Sequence, residues 1–342
     1  NGAKRVAAGP VPSAKRASVA GNFPTMTTDE LVLVGESFAG ETAALPYGLV
    51  PLQRDRYLVA TEDGFSWEAE PKTRAVLGTL HIGPPLSGIV AGQDWVWISW
   101  DKHLGCSSLS DPWRFVRLED GAWPQAVHAF DHAVEALAST AGDRVLAAAD
   151  GWLWEAAANP AGIRVRAVTR LPDEPCKQLI ADGDRVWAVG RSGKLYVLTD
   201  LEVGFTAIKE RVLAWDAWKD ETSALIAEQD HYAVEMGGVE SRSYPIPVTP
   251  HPTDTARLVC LGEGAFALTV QGKVFAGSRG LSAPLLLSQG DGTSISAVSR
   301  AAKDARQFTV SVAPEDTRQF AVSGARSSEG AGILQIWKFQ AR

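Results

Sequence analysis

Seven similar stretches recur along this chain of 342 residues, with anchor points 33 to 49 residues apart. Each sets a turn before a short apolar strand, and in most copies a tight Gly turn and a second strand follow. The clearest copies are Gly142-Asp143-Arg144-Val145-Leu146 and Gly183-Asp184-Arg185-Val186-Trp187. Looser copies begin near Arg54, Gln93, Gln229, Gly262 and Asp304. A unit of this length is one small antiparallel sheet that cannot bury its apolar faces alone. Stacked copies share a continuous core. The pattern predicts an all-β fold, a single β-propeller of four-stranded blades. Seven blades is the best count and six is the alternative.

Residues 142–168 show the grammar of one unit. The turn at Gly142-Asp143 opens a strand through Val145 and Ala147. Asp150-Gly151 then forms a two-residue hairpin turn, where positive φ is needed and Gly supplies it cheaply. Trp152-Leu153-Trp154 begins the next strand, and Arg164–Val168 follows as the outer one. Upstream, Ala133–Ser139 reads as the inner strand. The same grammar predicts hairpin turns at Ser192-Gly193 and Gln271-Gly272. No segment sustains a 3.6-residue apolar period, so helices should be few and short. Glu30–Gly35 and Gly332–Phe339 are strands at the two ends of the repeat array. Their pairing in one last blade would close the ring. The predicted domain covers 27–342, after a basic Ala/Ser/Pro-rich segment at 1–26 that reads as a solvated linker or a partner-binding arm.

Composition narrows the partner more than the fold. The formal net charge of −7 leaves no excess of Lys and Arg to neutralise phosphates, which argues against nucleic acid. No apolar run reaches the length of a membrane helix. The opening residues lack an apolar core, so they are not an intact signal peptide. The expected location is the bacterial periplasm or another exported compartment, with the cytoplasm as the alternative. The three cysteines, Cys106, Cys176 and Cys260, form no CxxC pair and read as small buried hydrophobes.

Thr61-Glu62-Asp63-Gly64-Phe65-Ser66-Trp67 resembles an Asp-box, the hairpin motif of sialidases and of many non-enzymatic bacterial propellers. In such a hairpin Asp63 would accept backbone N–H groups, Gly64 would take the strained position and Trp67 would pack between sheets. Asp150-Gly151-Trp152 is a degenerate echo of it. The resemblance implies structural roles for Thr61, Asp63, Gly64, Ser66 and Trp67. Sialidase activity would further require an arginine cluster and a Tyr–Glu pair. With five tyrosines and no paired-carboxylate motif, the chain gives no support for one.

Other candidate residues are scattered. His128 and His132 bracket Asp131 within five residues, but on a strand they would lie about 13 Å apart, too far to share one metal. No dinucleotide fingerprint, phosphate loop or nucleophile elbow is present, so no cofactor and no catalytic residue is assigned. Most of the twelve tryptophans read as packing between blades. Trp215, Asp216 and Trp218 look like an exposed loop between blades, and Trp113 is a second candidate, for a protein or sugar surface. Residues 237–256 carry four of the nineteen prolines and read as a presenting loop or an irregular outer strand of the fifth blade.

These features favour a non-enzymatic protein-binding propeller, monomeric on its own, with a partner that is basic if charge steers the encounter. An exported assembly factor and a toxin-neutralising immunity protein are two uses of such a scaffold. The alternative is a carbohydrate-binding or sialidase-like glycoside hydrolase propeller.

Overall fold

A computed structural model describes residues 29–39, 46–51, 57–61, 65–70, 75–81, 86–92, 94–108, 126–140, 144–159, 162–218, 221–238, 241–251, 254–287, 293–300, 319–326 and 331–341. These residues form seven four-stranded antiparallel sheets. Strand β1 is Asp29–Ala39. Blade I then runs through β2 (Pro46–Pro51), β3 (Tyr57–Thr61), β4 (Phe65–Glu70) and β5 (Ala75–His81). Blade II comprises β6 (Gly88–Ala91), β7 (Trp95–Trp100), β8 (His103–Ser108) and β9 (Ala126–Ala129). Blade III comprises β10 (Ala136–Ser139), β11 (Arg144–Ala149), β12 (Trp152–Asn159) and β13 (Gly162–Arg170). Blade IV comprises β14 (Cys176–Asp182), β15 (Arg185–Gly190), β16 (Leu195–Asp200) and β17 (Gly204–Lys209). Blade V comprises β18 (Val212–Trp218), β19 (Glu221–Ala227), β20 (Tyr232–Gly237) and β21 (Arg242–Ile246). Blade VI comprises β22 (Ala256–Gly262), β23 (Ala265–Val270), β24 (Lys273–Ser278) and β25 (Leu285–Leu286). Blade VII adds β26 (Thr293–Arg300), β27 (Gln319–Arg326) and β28 (Ala331–Ala341), and β1 completes it as the outer strand.

The predicted pairing of the chain's two terminal strands is therefore present, with Asp29 opposite Ala341 and Ala39 opposite Gly332. The first strand of each blade lies against that of the next, from β2 through β6, β10, β14, β18 and β22 to β26, and β26 lies against β2. That sequence of neighbours makes these the inner strands around the axis.

The core lies between the blades. One apolar cluster joins Val50 and Leu58 of blade I to Val96 and Ile98 of blade II. Another joins Trp97 and Leu104 of blade II to Val145 and Ala147 of blade III. Further clusters fill the III–IV, IV–V, V–VI and VI–VII gaps. Central strands are consequently covered on both faces. Val145, Leu146, Ala147, Ala148 and Ala149 of β11 are all buried, with no period-two alternation. Exposed positions return in outer strands such as β21, where Ser243 and Pro245 are exposed and Tyr244 and Ile246 are buried. Trp97 is fully buried in the II–III gap, in line with tryptophans as inter-blade packing.

Turn chemistry follows the sequence. Asp150 and Gly151 take φ of 56° and 71°, and Gln271 and Gly272 take 49° and 72°. Two successive positive φ values suit the twist of a two-residue hairpin. At 191–193 the loop has three residues. The Gly193 N–H donates to the Gly190 carbonyl, and Gly193 takes φ of 84°. The Gly142-Asp143 turn lies outside the described residues. Pro245 sits in β21, the outer strand of blade V, where a missing donor is tolerated.

Candidate functional site

Trp215, Asp216 and Trp218 do not form a loop between blades. They belong to β18, the inner strand of blade V, and Trp215 and Asp216 are buried at 7% and 8% exposure. The anchor at Gln229 explains the difference. It lies between β19 and β20, whereas the equivalent anchors at Gly183 and Gly262 fall just after, or at the end of, the first strand of their blades. One strand of slippage in the repeat pushed β18 out into a connecting segment. In its true place β18 ties three blades together. The Gln178 amide of β14 donates to the Trp215 carbonyl at 2.9 Å and accepts the Trp215 N–H at 3.2 Å. Asp216 accepts the Cys260 N–H of β22 at 2.7 Å. Trp218 is half-buried beside Gly262.

His128 lies in β9, edge-on to Phe130 with ring centroids 4.7 Å apart. His132 lies beyond it, and its Nδ1 is 2.9 Å from the Asp150 carboxylate, which also accepts the His132 N–H at 2.7 Å. The two histidines are thus spent on different contacts. Among the described residues no group of three or more His, Cys, Asp and Glu side chains is placed to hold a metal. Thr61 ends β3, Ser66 and Trp67 lie in β4, and these two strands pair. Asp63, Gly64 and Trp113 lie outside the described residues. The three cysteines are free and buried, and burial pushes the Cys106 and Cys176 thiols up to about 12.

The surface singled out by the structure is one that residue patterns passed over. Five large apolar side chains are exposed among the described residues, and three of them crowd the outer edge of blade IV. Leu201 and Val203, in the turn between β16 and β17, are 61% and 70% exposed, and Ile208 of β17 is 51% exposed. A turn ordinarily carries polar residues. The sequence Asp200-Leu201-Glu202-Val203-Gly204 places two branched aliphatics in one.

This edge is flanked by two recesses. Toward blade III a cavity of about 460 Å³ is lined by Leu201, Val203 and Phe205 together with Trp152, Arg170 and Pro172. There the Arg170 guanidinium lies 5.1 Å from the centre of the Trp152 ring, a cation–π arrangement. Toward blade V a cavity of about 390 Å³ is lined by Leu195, Ile208, Trp215 and Met236. Lys209 of β17 and Glu235 of β20 form an ion pair at its rim. Trp215 thus lines a recess from below rather than projecting from a loop. The arrangement is a ridge of exposed aliphatics between two recesses, each lined by both apolar and charged side chains. It offers burial and hydrogen bonding.

No family model matches the chain. No curated protein matches it either. Solved structures do, among them the crystal structure of RRP9 WD40 repeats. The two share a TM-score of 0.64 at 10% identity, over 90% of this chain and 98% of that one. At such identity the likeness shows the fold alone, a β-propeller. It is a likeness to a WD40 propeller, and the finer Asp-box resemblance finds no counterpart in these comparisons.

Proposed function

We propose that this chain is a protein-binding propeller that engages its partner through the outer edge of blade IV. The observation that carries the reading is the clustering of Leu201, Val203 and Ile208, three exposed aliphatics within eight residues of one outer hairpin. Exposed apolar side chains scattered singly need no explanation, but three of the five exposed among the described residues fall on this one hairpin, and gathered apolar exposure marks an interaction surface. Trp152 and Arg170 beside it are of the residue types that dominate interface energetics. The chain's charge of −7 suits a basic partner, through steering more than through contact energy. Assembly of an exported complex and neutralisation of a toxin are both uses of such a surface, and the identity of the captured protein separates them.

The test is capture from the source organism's extract with the tagged chain and with a Leu201→Asp, Val203→Asp double variant. Both positions are exposed, so the variant should fold as the wild type does, checked by its circular dichroism and melting curve. One stoichiometric protein retained by the wild type and lost by the variant is the expected result. A variant that retains the same protein would refute the assignment of the surface.

A further inference from the structure

Strand β17 is the last in the order β14-β15-β16-β17, so its outer edge has no ladder partner among the described residues. Proteins ordinarily blunt such an edge with charge, proline or brevity. Outer strand β13 carries Arg164, Arg166 and Arg170, β21 carries Arg242 and Pro245, and β25 is two residues long. From Val203 to Ile208 the edge of blade IV has neither charge nor proline. Within it Thr206, Ala207 and Ile208 are exposed in succession.

The two recesses lie on opposite faces of this one strand. Phe205 lines the recess toward blade III and packs in the cluster that fills the III–IV gap. Ile208 and Lys209 line the recess toward blade V, where a β-bulge at Ile208 re-aims the end of the strand. A segment laid along β17 as a strand sends successive side chains to opposite faces of the sheet, and so alternately toward the two recesses. A helix on either face reaches one recess, because the sheet stands between them. Charge marks the ends of the edge. Glu202 and Glu210 flank it, both exposed, and neither forms an ion pair among the described residues. Lys209 and Arg211 are already paired, with Glu235 and Glu228. The edge is thus an uncharged stretch between two carboxylates. The same charges work against a second copy of this chain. Twofold antiparallel pairing centred on Thr206 would set Glu202 of one copy opposite Glu210 of the other, and like charges directly across are destabilising.

We propose that blade IV takes an extended segment of its partner protein as a fifth strand along β17, apolar where it faces the recesses and basic at its two ends. Backbone pairing holds the segment, and the recesses and the two carboxylates select its sequence. The proposal rests on the blade IV edge being the partner surface, and adds the form and charge of what that surface takes.

The test is selection of random displayed peptides on the immobilised full chain, with the folded Leu201→Asp, Val203→Asp double variant for counter-selection. The expected winners alternate apolar with other residues, carry Lys or Arg at both ends, and are not retained by the double variant. A synthetic copy of the winner then reads the pairing itself. Alternate residues of an added strand turn their N–H groups toward β17, so N-methylation of that set should weaken binding about tenfold or more, and of the other set little. Glu202→Gln and Glu210→Gln should each weaken it about threefold, an effect that added salt removes. Unchanged binding by both Gln variants would overturn the basic ends. Winners with apolar residues at helical spacing, or equal losses from both N-methylated sets, would overturn the added strand and leave the blade IV surface standing. Winners that the double variant binds equally would overturn the surface and the strand together. Absence of any enriched peptide would overturn the added strand alone, since capture from extract tests the surface separately. A dimer of the chain that the double variant loses would make a second copy the occupant, and would overturn the proposal as well.

Discussion

The Asp216 carboxylate of β18 accepts the backbone N–H of Cys260 in β22 across the gap between blades V and VI, at 2.7 Å. Both residues are buried. Replacing Asp216 with Ala would leave that N–H without its acceptor, at a cost of about 1–3 kcal/mol. Asp216→Asn keeps an acceptor oxygen and should lose distinctly less. Urea denaturation of the two variants beside the wild type reads the difference, and equal losses would show that the bond contributes little.

Acid should loosen the ring through two buried-edge carboxylates. Glu174 accepts the Ser192 N–H at 2.8 Å, the Ser192 hydroxyl at 2.9 Å and the Tyr196 hydroxyl at 2.6 Å. Asp254 accepts the Tyr232 hydroxyl at 2.8 Å, the His251 N–H at 3.0 Å and the Gln271 amide at 2.7 Å. Burial works to raise both carboxyl pKa values, and the donated hydrogen bonds outweigh it, so both end below the ordinary carboxylate range. A depressed folded-state pKa gives stability that is present above the unfolded value near about 4 and lost as pH falls through the folded one. Urea midpoints should therefore fall below about pH 4, and Glu174→Gln should flatten that fall.

The tyrosines of the same networks act at the other extreme. Burial first, and donation to the carboxylates second, push Tyr196 and Tyr232 up to about 12. Their contribution is fully present below an unfolded pKa of about 10 and is lost as pH rises toward about 12. Tyr232→Phe should remove part of that alkaline loss. Absorbance titration of the phenolates checks the assignment directly, since the two groups should ionise well above the ordinary phenol value of about 10.

Two glycines should fail for different reasons. Gly151 holds φ of 71° with nothing near a Cβ position, so Gly151→Ala costs about 1–2 kcal/mol through the backbone alone. Gly190 has ordinary φ, but a Cβ there would meet the Glu174 carboxyl carbon at 2.2 Å. Gly190→Ala should displace Glu174 and so weaken the acid dependence, which Gly151→Ala leaves intact. Urea midpoints at neutral and acid pH distinguish the two.

The thiols should be silent in the folded protein. Cys106, Cys176 and Cys260 are free and buried, and the first two are raised to about 12 by burial. Thiolate, not thiol, is the attacking species. An aromatic disulfide reagent at neutral pH should react only as denaturant unfolds the chain. Fast reaction under native conditions would show that the gaps between blades open.

The fold was legible because its hairpins announce themselves locally. Asp150-Gly151 and Gln271-Gly272 carry the residues that paired positive φ values require, and both turns form. The strand phase was less secure, because a polar turn looks alike after the first strand of a blade and after the second. Gln229 follows the second strand of blade V, and that misphasing turned the buried Trp215 and Asp216 into an imagined loop. The blade IV edge was not legible at all. Leu201, Val203 and Ile208 become neighbours of Trp152 and Met236 only when blades III, IV and V are stacked side by side, a relation between units that no single unit contains.

Blade VII is built from both extremes of the described chain, β1 beside β28. During synthesis β1 leaves the ribosome with its partner still some three hundred residues away, at Ala331–Ala341. Until those residues emerge it is a bare edge, open to pairing with another nascent chain. The emergence of Ala331–Ala341 is thus also the event that locks the first strand, and a ribosome stalled shortly before residue 331 would hold a gapped ring rather than a nearly finished one.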